Sequence, residues 1–172
     1  GTENDPQEFD YEMDAIFAGF KGKGITDLVL DLRFNSGGSE VSANNLGSLV
    51  APDPANKIFF RREYNTRVED EILSDPNAGP SFLQSKLKLK PENVGSFLSG
   101  KVYVLTGSRT ASASELIING LSPYMDVFLI GDVTYGKNVG SISLYDEEDP
   151  RNTWGMQPIV VKVYNSLNQS DY

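Results

Sequence analysis

Residues 101–121 read KVYVLTGSRTASASELIINGL. This stretch gives the clearest indication of the fold. The apolar run at residues 101–106 predicts a buried strand, and residues 112–121 are predicted to form a helix. Ser112 and Glu115 form the S-x-x-E pattern of a capping box, which favours a helix that begins at Ser112. The stretch therefore predicts a strand, a turn and a helix, with a serine at the turn.

Strands and helices alternate outside this stretch as well. Apolar residues at helical spacing predict a helix between Phe9 and Phe20, which Gly22 and Gly24 end. Further strands are predicted at residues 28–30, 57–65, 127–130, 142–145 and 156–164, and helices at 41–50 and just after Pro91. The strands at 28–30 and 127–130 are expected to be buried. Residues 35–38 are predicted as a turn and residues 66–100 as the least regular part of the chain, with a loop at 75–80. The alternation predicts an α/β architecture with parallel strand pairing.

The 172 residues fit one domain. The sequence opens with Gly1, not Met, and stops abruptly after Tyr172, so we expect residues 1–172 to be a single core domain excised from a longer protein. No peptide-docking domain is recognisable in it. No run reaches the roughly 20 apolar residues that a membrane span needs.

Composition excludes several classes of function. The net charge of −9 argues against a nucleic-acid partner, because neutralising phosphates needs clustered Lys and Arg. The chain has no Cys and no His, which excludes disulfides, thiolate nucleophiles, His-based zinc sites and a Ser-His-Asp triad. Acid–base chemistry must use Lys, Tyr, Asp or Glu. No cofactor and no metal site are predicted.

Ser112 and Lys137 each allow a structural and a functional interpretation. Ser112 alone is explained by capping, yet a helix N-terminus also favours the negative charge of an oxyanion. Lys137, in the sequence TYGK at 134–137, is either a solvated surface lysine or a base. A base must be unprotonated, which requires burial or nearby positive charge, and Ser-Lys dyads are a known variant of the triad.

A third segment, DLRFNSGG at residues 31–38, ends the first predicted strand. Its structural interpretation is an ion pair followed by a Gly-Gly turn. Its functional interpretation is that the N–H groups of Gly37 and Gly38 contact an oxyanion.

Together the three segments resemble the signature of the C-terminal processing (tail-specific) serine protease family: D-L-R-x-N-x-G-G, then S-A-S-E, then T-[FY]-G-K. The resemblance runs from about residue 25 to residue 140, and Lys137 follows Ser112 by 25 residues, which is the family's separation. It implies a crotonase-like α/β fold, with a parallel or mixed sheet and flanking helices. It also implies a protein or peptide substrate, cleaved in unfolded or C-terminal segments, and a location in the cell envelope or periplasm.

The resemblance also implies roles for single residues. Ser112 is the expected nucleophile and Lys137 the expected general base, with the N–H of Ala113 and of Gly37 or Gly38 forming the oxyanion hole. In the family a Gln usually lies four residues after the Lys and orients its amine. Ser141 stands there in this chain, so the orienting role is assigned to Ser141 only as a hypothesis.

Two alternatives come from other classes of protein. The Ser141 departure favours a catalytically weak module that keeps the protease fold and binds peptides or other ligands. Acyl-CoA chemistry of the crotonase type is a third interpretation, against which the S-A-S-E and T-Y-G-K segments argue.

Overall fold

The structure is a computed structural model and describes residues 7–145, 148 and 151–170. Helices and strands alternate along most of the described chain. In chain order they are α1 (Glu8–Lys23), β1 (Val29–Asp31), α2 (Glu40–Val50), β2 (Ile58–Tyr64), α3 (Thr66–Ser74), α4 (Gly79–Phe82), β3 (Gln84–Lys86), a 3₁₀ turn (Gly95–Phe97), β4 (Lys101–Thr106), α5 (Ala113–Leu121), β5 (Asp126–Gly131), β6 (Val139–Ser141), β7 (Leu144–Tyr145), β8 (Gly155–Met156) and β9 (Ile159–Tyr164).

The strands form two main sheets of opposite type. One is parallel, in the order β1-β4-β5, and Val104 of β4 pairs with Leu30 on one side and Leu129 on the other. The other is antiparallel, in the order β3-β2-β9-β6. A two-stranded antiparallel pair joins β7 to β8. The architecture is mixed α/β with flanking helices.

The helix ends are set by local chemistry. Gly24 follows α1 in the left-handed conformation (φ 62°), which glycine adopts without steric strain. The Ser39 hydroxyl accepts a hydrogen bond from the Val41 N–H and so caps α2, whereas Asn65 does the same for α3 through the Val68 N–H. Ser39 also accepts the Ser42 N–H, so the Ser39 and Asn65 side chains satisfy backbone N–H groups that have no partner inside their helices.

The hydrophobic core lies around Phe59, which is fully buried. Helix α2 packs against α5, and α5 packs against β2, the strand that carries Phe59. A Cβ added at Gly47 of α2 would lie 2.8 Å from the Phe59 ring, and one added at Gly120 of α5 would lie 2.4 Å from it. Both helices therefore approach this ring closely because they present a glycine to it.

Most of the predicted elements are present. The helices predicted at 9–20, 41–50 and 112–121 correspond to α1, α2 and α5, and the strand predicted at 101–106 is β4. The strands predicted at 28–30, 57–65 and 127–130 correspond to β1, β2 and β5, and those at 142–145 and 156–164 to β7 and to β8 with β9. The helix expected after Pro91 is the 3₁₀ turn.

Three expectations need correction. Residues 66–100, predicted as the least regular part of the chain, hold α3, α4 and β3, which were not predicted; α3 buries none of its residues. Strands β1 and β5 are not buried, since the outer face of the parallel sheet is open. Parallel pairing holds for only one of the two main sheets, because β6 and β9 run antiparallel within the other.

Candidate active site

Ser112 stands at the turn between β4 and α5 in a strained backbone conformation. Its φ of 57° and ψ of −117° lie outside the regions that non-glycine residues ordinarily occupy. The same kind of sharp strand-to-helix turn exposes the nucleophile in α/β-hydrolases. Ala113 is the first residue of α5, so its N–H has no acceptor within the helix, and no hydrogen bond from it occurs among the described residues; it is available to an oxyanion.

The glycine turn lies directly against Ser112. A Cβ at Gly37 would come within 2.8 Å of the Ser112 Cβ and 2.9 Å of the Ala113 nitrogen, and its φ is 100°. The Gly37 N–H donates to the Asn35 Oδ1 at 3.0 Å, whereas no hydrogen bond of the Gly38 N–H occurs among the described residues. Gly38 is therefore the glycine whose N–H is available to a ligand.

Asn35 connects this turn to α5. Besides holding Gly37, its side-chain oxygen lies 3.0 Å from the Ser114 hydroxyl, which donates to it. The Asn35 carbonyl accepts from the Ala111 N–H at 3.3 Å. The glycine turn and the serine turn are thus one hydrogen-bonded unit.

Glu115 joins Ser112 to the segment that carries Lys137. Its carboxylate is almost completely buried, with 1% of the residue exposed. It accepts the Ser112 N–H at 2.8 Å, the Lys137 N–H at 2.9 Å and also the Gly136 N–H. The first of these bonds is the predicted capping box, and the other two reach across to a different part of the chain.

Ser112 and Lys137 face one cleft of about 330 Å³. Ala113, Gly38, Ser141 and Glu40 also line it, together with Leu116, Asn138, Val139, Gly140, Gln157 and Val163. Ser112 is half-buried and Lys137 is exposed. No hydrogen bond joins their side chains in the part of the chain that the structure describes, and apo enzymes often lack a close catalytic bond before substrate binds.

The predicted residues thus meet, with one exception. Ser112, Lys137, Ala113, Gly38 and Ser141 all line the cleft, whereas Gly37 packs behind Ser112 and lines neighbouring depressions. Within the described residues, no group of three or more acidic side chains is arranged to hold a metal ion.

Asp31 and Arg33 form the ion pair that the structural interpretation of residues 31–38 predicts. The guanidinium donates to both carboxylate oxygens, at 2.9 and 2.7 Å. Hydrogen bonds from the Arg33 side chain and backbone lower the pKa of Asp31 to about 2. Both residues are exposed beside the glycine turn and do not line the cleft.

The long-range contacts of Glu115 and Asn35 were not predicted. Glu115 was expected to form a capping box and Asn35 to lie in a turn, and both belong to the segments that resemble the family signature, without a role of their own. Their contacts to residues 136–137 and 111–114 are long-range, so no local pattern reveals them. The one available signal was that the Glu115 carboxylate and the Asn35 amide each lie in one of the three motifs, which are far apart in the chain.

Ser112 lies on a strained turn next to the N–H groups that begin α5. This arrangement is similar to the nucleophile site of serine hydrolases. Comparison with known sequences narrows this class. The profile of peptidase family S41 matches residues 4–148, so the chain belongs to peptidase family S41.

Individual relatives agree with this assignment. The chain is 29% identical over 127 residues to the chloroplastic carboxyl-terminal-processing peptidase 1 of Arabidopsis thaliana, a match that covers 74% of this chain and 22% of that protein. The structure of a Bacteroides fragilis protein assigned to the S41 proteases superimposes with a TM-score of 0.76 at 32% identity, over 100% of this chain and 41% of the other.

A more distant structure shares the fold. The photosystem II D1 C-terminal processing protease has a TM-score of 0.65 at 17% identity and covers 94% of this chain and 36% of its own. The chain therefore spans between about a fifth and two-fifths of the length of these relatives. None of the described helices has the length and apolar composition that crossing a membrane requires.

Proposed function

We propose that the chain is the catalytic core of a serine endopeptidase that cleaves unfolded or C-terminal protein segments with Ser112 and Lys137. Membership of peptidase family S41 supports the peptidase class, and a C-terminal processing peptidase among its relatives supports the substrate. The observation that carries the proposal is the convergence of Ser112, Lys137 and Gly38 on one cleft. We also propose the crotonase-like variety of the α/β fold, on the family resemblance.

The first chemical step follows from the chemistry of these groups. The Ser112 Oγ attacks the scissile carbonyl carbon while its proton passes to the neutral Lys137 Nζ. The carbonyl oxygen becomes an oxyanion, and the N–H groups of Ala113 and Gly38 donate hydrogen bonds to it. The developing charge also meets the positive end of the α5 dipole.

The second half of the proposed reaction returns the enzyme to its starting state. The protonated Lys137 gives its proton to the leaving amine as the C–N bond breaks, which leaves an acyl group on Ser112. A water molecule then attacks the acyl carbon of this ester while Lys137 accepts one of its protons. Lys137 returns that proton to the Ser112 Oγ as the acyl C–O bond breaks, and the acid product leaves. Because Lys137 is exposed in the free chain, we infer that the bound peptide covers it and excludes water.

The cleft also suggests how a peptide lies. Strand β6, which lines it with Val139, Gly140 and Ser141, is the last strand of the antiparallel sheet. An extended peptide can pair with such an edge and bring its carbonyl to Ser112. A location in the cell envelope or periplasm is proposed from the family resemblance alone.

Hydrolysis of a long unfolded protein with a free C-terminus tests the proposal. We expect the chain to cleave it and Ser112→Ala to bind but not cleave it. Binding by both proteins without cleavage by either would instead identify the catalytically weak binding module.

A further inference from the structure

The Glu115 carboxylate links two chain segments that the proposed reaction must bring together. Ser112 belongs to the turn before α5, and Gly136 and Lys137 belong to the loop between β5 and β6. The carboxylate accepts one N–H from the first segment and two from the second. Among the ion pairs of the described residues none involves Glu115, so backbone N–H groups are what hold this buried carboxylate.

A capping role explains only part of this arrangement. The bond from the Ser112 N–H completes the capping box of α5. Gly136 and Lys137 follow Glu115 in the chain by 21 and 22 positions, so their bonds to its carboxylate contribute nothing to the helix end. A capping residue is normally solvent-accessible, whereas Glu115 is buried beneath the loop that it holds.

The Lys137 side chain has no partner of its own among the described hydrogen bonds and ion pairs. Its position therefore depends on the backbone on either side of it. Beyond Lys137, the Asn138 side chain donates to the Ser170 carbonyl at 2.7 Å. The backbone carbonyl of Asn138 accepts the Val163 N–H at 3.0 Å. At Gly136 and Lys137 the Glu115 carboxylate is the anchor, and just before them the Tyr135 N–H donates to the Thr110 carbonyl at 2.9 Å.

We propose that Glu115 is a positioning residue for the reaction, which sets the Lys137 loop at a fixed distance from the Ser112 turn. The proposal rests on the function proposed above. Glu115 does not touch the substrate; it acts through the backbone of Ser112, Gly136 and Lys137. Unlike the orienting Gln expected at the position of Ser141, Glu115 holds the backbone of the loop and not the Lys137 amine.

The test compares two isosteric exchanges of hydrogen-bonding side chains. Glu115→Gln replaces one acceptor oxygen with an NH₂ that faces backbone N–H donors. Asn93→Asp is the control, because the partly buried Asn93 side chain also makes three bonds to backbone, with Ser48, Ala51 and Gly95, and does not line the cleft. Both exchanges disturb a side chain that anchors backbone groups, and only Glu115 is attached to the reacting residues.

The readout is the rate at which a fluorophosphonate labels Ser112 in the 172-residue chain. We expect Glu115→Gln to lower the limiting labelling rate by about 10²-fold, as a misplacement near 1 Å does, with little change in the half-saturating probe concentration. We expect Asn93→Asp to lower stability and leave the labelling rate of the folded protein unchanged. Amide exchange at residues 136 and 137 should accelerate in Glu115→Gln while α5 stays protected.

Glu115→Asp provides a second variant if Glu115→Gln does not fold. It keeps a carboxylate at the start of α5, where the dipole favours it, but is one methylene too short to reach Gly136. Slow labelling in a folded Glu115→Asp protein supports the proposal. Labelling of Glu115→Gln or Glu115→Asp at the wild-type rate overturns it, and so does unfolding of both variants while Asn93→Asp folds. If wild-type Ser112 does not react at all, the proposed function fails and this inference fails with it.

Discussion

Ser112 has a backbone conformation that the fold imposes against the ordinary φ/ψ preference of a serine. Its side chain suits a helix N-cap, yet its φ of 57° costs roughly 1–3 kcal/mol that the surrounding structure must offset. The offset comes from Glu115, which accepts the Ser112 N–H, and from Gly37, which fits against Ser112 only because it has no side chain. Strain held in this way is typical of functional sites, and here it exposes the hydroxyl to the cleft.

Ser141 allows a test of the orienting role at the same scale. It lies in β6, lines the cleft with Lys137, and is too short to reach far into it. We expect Ser141→Gln to raise kcat by about threefold to tenfold, equivalent to roughly 0.7–1.4 kcal/mol, because the longer amide can accept from the Lys137 amine. The measurement is peptide hydrolysis under saturating substrate.

Ser143→Gln is the matched control for that change. Ser143 is exposed like Ser141 and does not line the cleft, so this variant should behave as wild type. A fall in kcat on Ser141→Gln would show that Ser141 is itself functional, or that Gln does not fit at this position.

Helices α2 and α5 carry the site, and their separation is set at the level of the element. Both approach Phe59 through a glycine. The glycine turn leads into the Ser39 cap of α2, and its Gly37 lies against the N-terminus of α5. The site is therefore sensitive to packing at the far ends of these helices.

Glycine-to-alanine exchanges in two helices distinguish the effect of packing on the free energy of unfolding from the effect of helix propensity. Gly120→Ala would place a Cβ 2.4 Å from the Phe59 ring and 2.9 Å from its carbonyl oxygen, so we expect a loss of about 1–3 kcal/mol in the free energy of unfolding. Gly19→Ala in α1 meets nothing within 4 Å and should gain about 0.5–1 kcal/mol. Urea unfolding measures both, and a stabilised Gly120→Ala protein would contradict the packing described above.

Elements with strong local signals could be predicted from the sequence, and those held by distant contacts could not. Helices α1, α2 and α5 have apolar spacing or caps, so their positions follow from local rules. The antiparallel sheet could not be predicted, because β6 has only three residues and its pairing with β9 depends on the rest of the fold. Ser112, Lys137 and Gly38 were predicted through motifs. Glu115 and Asn35 lie in the same motifs, but their long-range hydrogen bonds do not follow from any local pattern.

At the scale of the whole molecule, the residues that the structure describes leave one face of the parallel sheet open. Val29, Tyr103 and Phe128 share this face by register, and so do Leu105 and Ile130. Val29, Phe128 and Ile130 are about half exposed, at 55%, 47% and 52%. Parallel sheets are usually covered on both faces, so this open apolar face is unusual for the architecture.

We expect the open face to dominate the binding of apolar probes. A contiguous apolar patch binds the dye ANS better than scattered single residues do, so Phe128→Thr should reduce ANS fluorescence clearly. Leu89→Thr is the control, since Leu89 is 75% exposed in a loop away from that face. Equal reductions in the two variants would show that the parallel sheet is not the principal apolar surface.

Covalent labelling of Ser112 is the most direct test of the central claim, that this chain works through a Ser112–Lys137 pair. A fluorophosphonate should attach to the folded wild-type chain, with the adduct mapped to Ser112 by mass spectrometry, and Ser112→Ala should not react. Lys137→Arg should react at least about 10²-fold more slowly, because a guanidinium keeps its proton and cannot act as a base. An adduct at another residue, or Lys137→Arg reacting at the wild-type rate, would contradict the account.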